Sequence, residues 1–387
     1  MDVKVRTRST ARLAVGAALA LAGAVACAAG NLTIGVIAEL TGAGATYGRG
    51  LVQGAEMALR DINAAGGIGG RPLRLLIVDG ATNPAHSAIA MRRLVASDVQ
   101  LVVGGWGSAQ VLANLEVAEQ AGVPYLVVGA THPRITSPLN RWTFRVIATD
   151  AVQAEHLAQV VLGRLKARRI AVLADASAYG VGSRDIFLDA LASAGVEPVA
   201  VLGYQATDPD VATPLARIQA AAPDVLALFG TAPAAPRIMR EARAMGLGAR
   251  FVGTGGLAND ALLAAAGPAA EGTLITSFFS EEVDAEAAAW AARFRREHAD
   301  AASPPSPVLA AWQYRAMRDI AAPCLRQAGT QRPALRDCIA AWHGRLFGVR
   351  GEVRFDASGQ LQQAPLLTEV RGGVFRLVGD DTGERRP

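Results

Sequence analysis

The sequence predicts an α/β fold made of two Rossmann-like, doubly wound lobes, and two patterns carry this prediction. Short apolar runs recur about every 20–30 residues, and segments with helical periodicity separate them. Nearly continuous apolar strands are typical of parallel sheets that helices cover on both faces. The runs at 32–130 form one group and those at 169–278 form another, so each group is expected to build its own sheet.

The expected strands are LTIGVIAEL (32–40), LRLLIVD (73–79), QLVVGG (100–105), PYLVVGA (124–130), RIAVLAD (169–175), PVAVLGY (198–204), DVLALFG (224–230), RFVGTG (250–255) and TLITSF (273–278). After residue 280 the pattern becomes helical, at 284–299, 307–328 and 332–343. The segment 348–360 then predicts a strand and a turn, and two short strands follow it.

The first unit shows how each element is recognised. TGAGATYGRG (41–50) is rich in glycine and predicts a loop after the first strand. The helix that follows ends at Gly66 and Gly67, where a left-handed turn is expected. A strand–helix–strand of this length forms a right-handed parallel crossover. The apolar face of the helix consists of Leu51, Ala55, Ala58, Leu59 and Ile62.

Length and charge limit the possible functions. A chain of 387 residues is too long for one compact core. Its formal net charge is +4, but four basic residues against one Asp give residues 1–26 a charge of +3. The remainder is near neutral, so the basic stripe that nucleic-acid binding requires is not expected.

Residues 1–26 predict a signal peptide, because a charged segment precedes a short apolar run and the small residues Ala24-Val25-Ala26. Export to the periplasm is therefore expected. Cys27 follows directly, and a lipid anchor through it is the alternative. Cys324 and Cys338 lie 14 residues apart, and an oxidising compartment allows them to pair. Two buried free thiols are the alternative reading.

Enzyme motifs are missing from the sequence. There is no GxxxxGK[ST] phosphate loop and no GxSxG nucleophile elbow, and the glycines at 42, 44 and 48 only approach GxGxxG. The five histidines show no metal-ligand spacing. We therefore expect no catalysis, no cofactor and no metal.

Two strand ends predict an anion site instead. Strand 100–105 leads into Trp106, Gly107 and Ser108 before a helix, and strand 124–130 leads into Thr131. Ligands of open α/β sheets lie at the carboxyl ends of strands, where hydroxyls and helix N–H groups meet. Ser108 also stands where a helix N-cap is expected, so plain capping is the alternative role.

In their order and spacing these segments resemble the periplasmic solute-binding proteins for branched-chain amino acids, the type I receptors of ABC importers. The resemblance covers about 31–360 and rests on TGxxxxYGxxxxxGxxxAxxDINAAGGIxGxxxxLxxxD (41–79) and GxxGxxxFDxxG (348–359). It implies three crossings between the lobes, near 149, 278 and 353. The implied units are a first lobe of 31–149 plus 279–352 and a second lobe of 150–278 plus 353–380.

The resemblance also assigns roles to single residues. Ser108 and Thr131 match positions that hold the α-carboxylate of the ligand in relatives, and Gly129 matches a carbonyl that accepts from the ammonium. Trp106 matches a position beside the ligand side chain. Tyr47 and Tyr179 match aromatic walls, one from each lobe. Trp312 and Tyr314 are expected at the rim.

One departure from the family pattern concerns the ligand. Relatives that bind α-amino acids carry a Glu after the strand that matches 250–255, and Gly255 stands there in this chain. Thr231 likewise replaces an aromatic residue. A buried ammonium without a carboxylate partner costs several kcal/mol. A carboxylate ligand without an α-ammonium is therefore expected, unless Asp175 or Asp260 supplies the acid.

The sequence thus predicts an extracytoplasmic receptor that closes two lobes on a small amino acid or organic acid and delivers it to membrane permease subunits. We expect a monomer. The alternative is a ligand-sensing module that works with a separate signalling protein, because this fold also serves in amide-responsive regulators.

Overall fold

The computed structural model describes residues 32–379, apart from 138, 209, 233 and 301–305. The predicted signal peptide at 1–26 and Cys27 lie outside the described residues. Within these residues, none of the helices combines the length and the hydropathy that crossing a bilayer requires.

The first sheet is wholly parallel, in the order β2-β1-β3-β4-β5. Its interior strand β1 pairs Ile34 with Leu75 on one side and with Leu101 on the other. The strands are β1 (Leu32–Ala38), β2 (Leu73–Asp79), β3 (Leu101–Gly104), β4 (Tyr125–Val127) and β5 (Thr143–Arg145).

The second sheet is mixed, in the order β15-β14-β10-β9-β8-β6-β7. Strands β6 to β10 run parallel, and β14 and β15 add an antiparallel edge beside β10. The strands are β6 (Ile170–Asp175), β7 (Ala200–Tyr204), β8 (Val225–Phe229), β9 (Arg250–Gly253), β10 (Leu274–Ser277), β14 (Leu366–Arg371) and β15 (Val374–Leu377).

A small third sheet holds β11 (His343–Gly344), β12 (Val353–Phe355) and β13 (Leu361–Gln362). It is tied to the first sheet by a bridge between Arg145 and Gln360, and the buried Arg145 guanidinium donates to Gln360 Oε1 at 2.6 Å. The lobe boundaries and the three crossings remain predictions.

The helices cover both faces of the two large sheets. They are α1 (Ala45–Ala64), α2 (Pro84–Ala96), α3 (Ser108–Ala121), α4 (Asp150–Gln159), α5 (Ala178–Ser193), α6 (Ala212–Ala220), α7 (Ala234–Ala244), α8 (Asp260–Ala266), α9 (Ala285–Glu297), α10 (Pro307–Arg315), α11 (Ala322–Ala328) and α12 (Arg332–Ala341). A π-helical stretch (Ala316–Ala321) joins α10 to α11. The α/β class and the two-lobed architecture predicted from the sequence are confirmed.

The main local error concerns the glycine-rich segment, because α1 begins at Ala45 inside the predicted loop 41–50. Gly48 and Gly54 within this helix serve close packing rather than a turn. A Cβ at Gly48 would lie 2.1 Å from the Glu39 carbonyl oxygen, and one at Gly54 would lie 2.2 Å from that of Ala310 in α10. Helix and neighbour can approach this closely only without side chains.

The two cysteines of the helical region form a disulfide. Cys324 in α11 bonds to Cys338 in α12, with a Cα–Cα distance of 5.6 Å. The two cysteines are therefore paired and are not the two free thiols that their spacing also allowed. The bond joins two helices that pack on each other.

Candidate ligand-binding site

A cavity of about 310 Å³ lies where the carboxyl ends of the strands of both sheets face each other. Two sides of the cavity lie opposite each other. The first wall consists of Trp106, Ser108, Gly129 and Thr131, which follow β3 and β4. The second wall consists of Gln153, Tyr179, Thr231 and Gly255, which lie in α4 and α5 or follow β8 and β9. All of these residues line the cavity.

On the first wall, α3 presents an uncapped N-terminus to the cavity. The N-cap is Gly107, which has no side chain to bind the first N–H groups. Ser108 is the first helical residue rather than the expected N-cap. Its Oγ instead accepts a long bond of 3.4 Å from the His132 N–H. The first N–H groups of a helix have no intrahelical partners, so this end can bind an anion together with the Ser108 hydroxyl.

Glu39 holds the loop that carries this wall through hydrogen bonds to its backbone. Its buried carboxylate accepts from the Trp106 N–H at 3.3 Å and the Gly107 N–H at 3.2 Å. Burial raises the pKa of Glu39 to about 7, although the two N–H groups oppose the shift. The carboxylate thus shapes the loop without lining the cavity.

Gly129 and Thr131 complete the first wall. A Cβ at Gly129 would lie 2.8 Å from the Trp106 Cα, so only glycine allows the two strand ends to meet. Thr131 is 6% exposed, and its carbonyl accepts from the Asp150 N–H at 2.9 Å. This bond sets the first turn of α4, which carries Gln153, beside the first wall.

Tyr47 is the predicted residue that the structure places elsewhere. It lies in the first turn of α1 behind Trp106, with the two rings stacked at 3.9 Å between centroids, and it is absent from the cavity lining. Its hydroxyl donates to the Gly256 carbonyl at 3.0 Å and accepts from the Ala232 N–H at 2.8 Å. Tyr47 therefore connects the lobes across the cleft instead of forming a wall.

On the second wall, Tyr179 lies in the first turn of α5. Its hydroxyl shares a hydrogen bond with Thr254 Oγ1 at 2.7 Å and accepts from the Gly256 N–H at 3.1 Å. Burial raises the pKa of Tyr179 well above its ordinary value. Thr231 lines the cavity after β8 and leaves it wider than an aromatic residue would.

The surroundings of Gly255 contain an amide rather than an acid. Its N–H donates to Gln153 Oε1 at 2.8 Å, and Gln153 is 1% exposed. A Cβ at residue 255 would lie 3.0 Å from that same oxygen, so Gln153 occupies the space that a longer side chain there would need.

Of the two alternative acids, Asp175 lines the cavity and Asp260 does not. Asp260 lines a separate, small cavity with Phe279 and Arg295, so the structure does not bring it to the site. Asp175 Oδ1 already accepts from the Ser177 N–H at 2.9 Å and from the Ser177 hydroxyl. Burial raises the pKa of Asp175.

The rim differs from the expectation in one residue. Trp312 lines the cavity, whereas Tyr314 points away and donates to Asp61 Oδ2 at 2.5 Å.

Sequence reasoning missed the remaining lining side chains. Gln153 lies in α4, the helix that follows the unrecognised strand β5, and the Thr149 N-cap was the signal available for it. Other missed lining residues are Thr82, Gln110, Ile147, Gln205 and Phe278.

Comparisons with known proteins agree with this geometry. The periplasmic binding protein family matches residues 31–374. The chain belongs to this family. A leucine-, isoleucine-, valine-, threonine- and alanine-binding protein of Pseudomonas aeruginosa is 30% identical over 361 residues, which are 93% of this chain and 95% of the relative.

Solved structures of the family share the fold. The branched-chain amino acid transporter substrate-binding protein of Streptococcus pneumoniae, in complex with isoleucine, is 27% identical, with a TM-score of 0.81 over 90% of this chain and 99% of its own. A solute-binding protein of an ABC transporter from R. palustris, in complex with benzoate, is 22% identical, with a TM-score of 0.81 over 90% and 96%.

The fold is therefore the type I periplasmic binding protein fold, and the chain is a solute-binding protein of the type found with branched-chain amino acid ABC transporters. Members of this family bind substrates and are not enzymes. Among the described residues, no group of three or more His, Cys, Asp or Glu side chains could hold a metal ion.

Proposed function

We propose that this chain is the periplasmic receptor of an ABC importer and that its ligand is a small carboxylic acid without an α-ammonium group. The observation that carries the proposal is the contrast between the ends of the cavity. The first wall offers N–H and hydroxyl donors, and Gly255 offers no acid opposite them.

The first wall suits a carboxylate for electrostatic reasons. The positive end of the α3 dipole and its free N–H groups favour an anion at this point, and the hydroxyls of Ser108 and Thr131 add donors. None of the described lining residues is Lys, Arg or His. The acid is therefore bound by neutral donors, and each hydrogen bond to a charge contributes about 1.5–3 kcal/mol.

An ammonium group finds a poorer environment. The one carboxylate among the described lining residues is Asp175, whose Oδ1 is occupied by Ser177. The P. aeruginosa and S. pneumoniae relatives bind amino acids, whereas the R. palustris protein is in complex with benzoate, so the fold accommodates both kinds of acid. The missing acid at Gly255 supports the second kind for this chain.

A binding panel tests the ligand class. The mature protein, stripped of ligand by unfolding and refolding, is titrated calorimetrically with leucine, 4-methylpentanoate, 4-methyl-2-oxopentanoate and benzoate. We expect the acids without an ammonium to bind and leucine to bind weakly or not at all. A ligand at 100 times its dissociation constant also adds about 2.7 kcal/mol to stability, which a thermal shift detects. Tight leucine binding, with none of the acids, would show that Asp175 serves as the ammonium partner.

A transport experiment tests the importer role. Cells that lack this chain should lose uptake of the labelled ligand identified by titration, and uptake should return when the chain is supplied with its export signal. Unchanged uptake together with a lost transcriptional response would identify the chain as a sensor. The permease partners and the monomeric state are part of the proposal, and light scattering of the purified protein measures the latter.

A further inference from the structure

Trp106 is the residue of the first wall that offers a ligand a broad aromatic surface. It lines the cavity and is half-buried, so it keeps accessible surface. The lining residues Phe278 and Trp312 differ from it, because they are only 1% and 3% exposed. Tyr179 also keeps accessible surface, but it belongs to the second wall. On the first wall, an aromatic contact with the ligand therefore depends on Trp106.

The indole ring of Trp106 is held in one orientation by contacts on three sides. Tyr47 covers one face, with the ring centroids 3.9 Å apart and the planes 18° from parallel. Both ends of the ring lie against glycines, because a Cβ at Gly44 would lie 3.1 Å from Cζ3 and one at Gly129 would lie 3.0 Å from Cδ1. The surface left for a ligand is therefore that of the second face and the N–H edge. A ring already fixed in place loses little side-chain entropy when a ligand packs on it.

This free surface lies next to the proposed acid site. One residue separates Trp106 from Ser108, and the Cδ1 end of the ring lies beside Gly129, two positions before Thr131. A carboxylate bound by Ser108 and Thr131 therefore places the next few carbon atoms of the ligand within reach of the indole.

The second sheet leaves space for those carbon atoms. Several lining residues that follow β6, β8 and β9 have no side-chain atom beyond Cβ, namely Ala176, Ala178, Ala232, Gly255 and Gly256. The apolar part of the ligand thus has one broad partner, the indole of Trp106, and small neighbours on the side of the second sheet.

We propose that Trp106 determines the specificity of this receptor by packing against an aromatic ring of the ligand, so that aromatic carboxylic acids are selected over aliphatic ones. The inference rests on the proposed function and narrows its ligand class. Two aromatic rings attract each other in offset-stacked or edge-to-face arrangements, beyond the effect of area burial. The free face of Trp106 allows the first arrangement, and its N–H edge allows the second. A saturated ring is thicker and has no such attraction.

A matched pair of ligands tests the selection. Calorimetric titrations of the unaltered protein compare benzoate with cyclohexanecarboxylate, which has the same carbon skeleton and the same carboxylate, and include 4-methylpentanoate. We expect benzoate to bind about 2- to 10-fold more tightly than cyclohexanecarboxylate, the value of one aromatic pair. Equal or tighter binding of cyclohexanecarboxylate, or binding of 4-methylpentanoate alone, would overturn the selection and leave the carboxylate receptor in place. If none of the three acids binds, the proposed function itself fails.

Variants of Trp106 identify the residue responsible. Trp106→Leu keeps an apolar side chain but removes the ring, so the preference for benzoate should disappear. Trp106→Phe keeps a ring on Tyr47 and should retain most of the preference. The control is Trp142→Leu, because Trp142 is also half-buried but packs against Arg336 and does not line the cavity. A Trp106→Leu protein that folds and keeps the preference contradicts the proposal; if it does not fold, the ligand pair decides.

Discussion

The two walls of the cavity are built in different ways. The first wall comes from two neighbouring parallel strands, and each of its residues lies within a few positions of a strand end. The second wall is assembled from four separate segments, at Gln153, Tyr179, Thr231 and Gly255. The first wall follows from the fold, and its N–H and hydroxyl donors suit anions in general. The second wall depends on individual residues, and it is there that the sequence predicts a departure from the amino-acid-binding relatives.

The largest expected effect is on stability, from a substitution that disturbs the packing of α1 behind the first wall. In Gly48→Ala the new methyl group would collide with the Glu39 carbonyl at 2.1 Å, so α1 must move away from β1. We expect a loss of about 3 kcal/mol in the free energy of unfolding, measured by urea denaturation.

The matched control is Gly163→Ala, a helical glycine around which nothing lies within 4 Å of the added Cβ. Its stability should change by less than about 1 kcal/mol. If both variants are equally stable, the close approach of α1 to β1 does not constrain residue 48.

The second prediction concerns pH and the carboxylate below the first wall. The folded pKa of Glu39 is about 7 against an ordinary value of 4.5, so the folded state binds this proton more tightly than the unfolded state. The stability that Glu39 contributes is complete below about pH 4.5 and is lost as the pH rises through 7. The unaltered protein should lose on the order of 2–3 kcal/mol relative to Glu39→Gln between pH 5 and 8.

Denaturant titrations of both proteins at several pH values measure this difference. Subtracting the two curves removes the other titrating groups. A difference that does not change with pH would mean that Glu39 is ionised throughout, held in that form by the Trp106 and Gly107 N–H groups.

The third prediction removes a donor from the first wall. In Ser108→Ala the ligand carboxylate loses one charge-assisted hydrogen bond, worth about 1.5–3 kcal/mol, so affinity should fall about 10- to 100-fold. Calorimetric titration measures it. Ser193→Ala, which removes an exposed hydroxyl that bonds to the Asp189 carbonyl, is the control and should bind normally. Normal binding by Ser108→Ala would place the acid elsewhere.

The smallest expected effect concerns the connection between the walls. Tyr47→Phe keeps the stacking on Trp106 but leaves the Ala232 N–H and the Gly256 carbonyl without the bridging hydroxyl. Closing the lobes should then cost more, and affinity should fall about tenfold for every ligand alike. Tyr314→Phe, which loses only the bond to Asp61, should lower stability without changing affinity. A ligand-selective effect of Tyr47→Phe would return this residue to the wall.

The strands illustrate how far prediction from sequence reaches. All nine apolar runs contain a strand, and for the interior strands the reason is that burial on both faces requires continuous apolar side chains. The strand β5 escaped recognition because it has only three residues and Arg145 at its end. The start of α1 was wrong because glycine in a helix looks like a loop until a neighbour that needs the space is known.

The sequence by itself determined the α/β class, the two sheets and the strand ends that carry Ser108, Gly129 and Thr131, because these depend on periodicity and on the rule that parallel strands end at one edge. Only the tertiary structure decided that Tyr47 bridges the lobes, that Cys324 pairs with Cys338 and that Gln153 stands beside Gly255. Those contacts join residues distant in the chain, and the packing of whole elements brings them together. Each of these contacts depends on two residues far apart in the sequence, so no pattern within one segment predicts it.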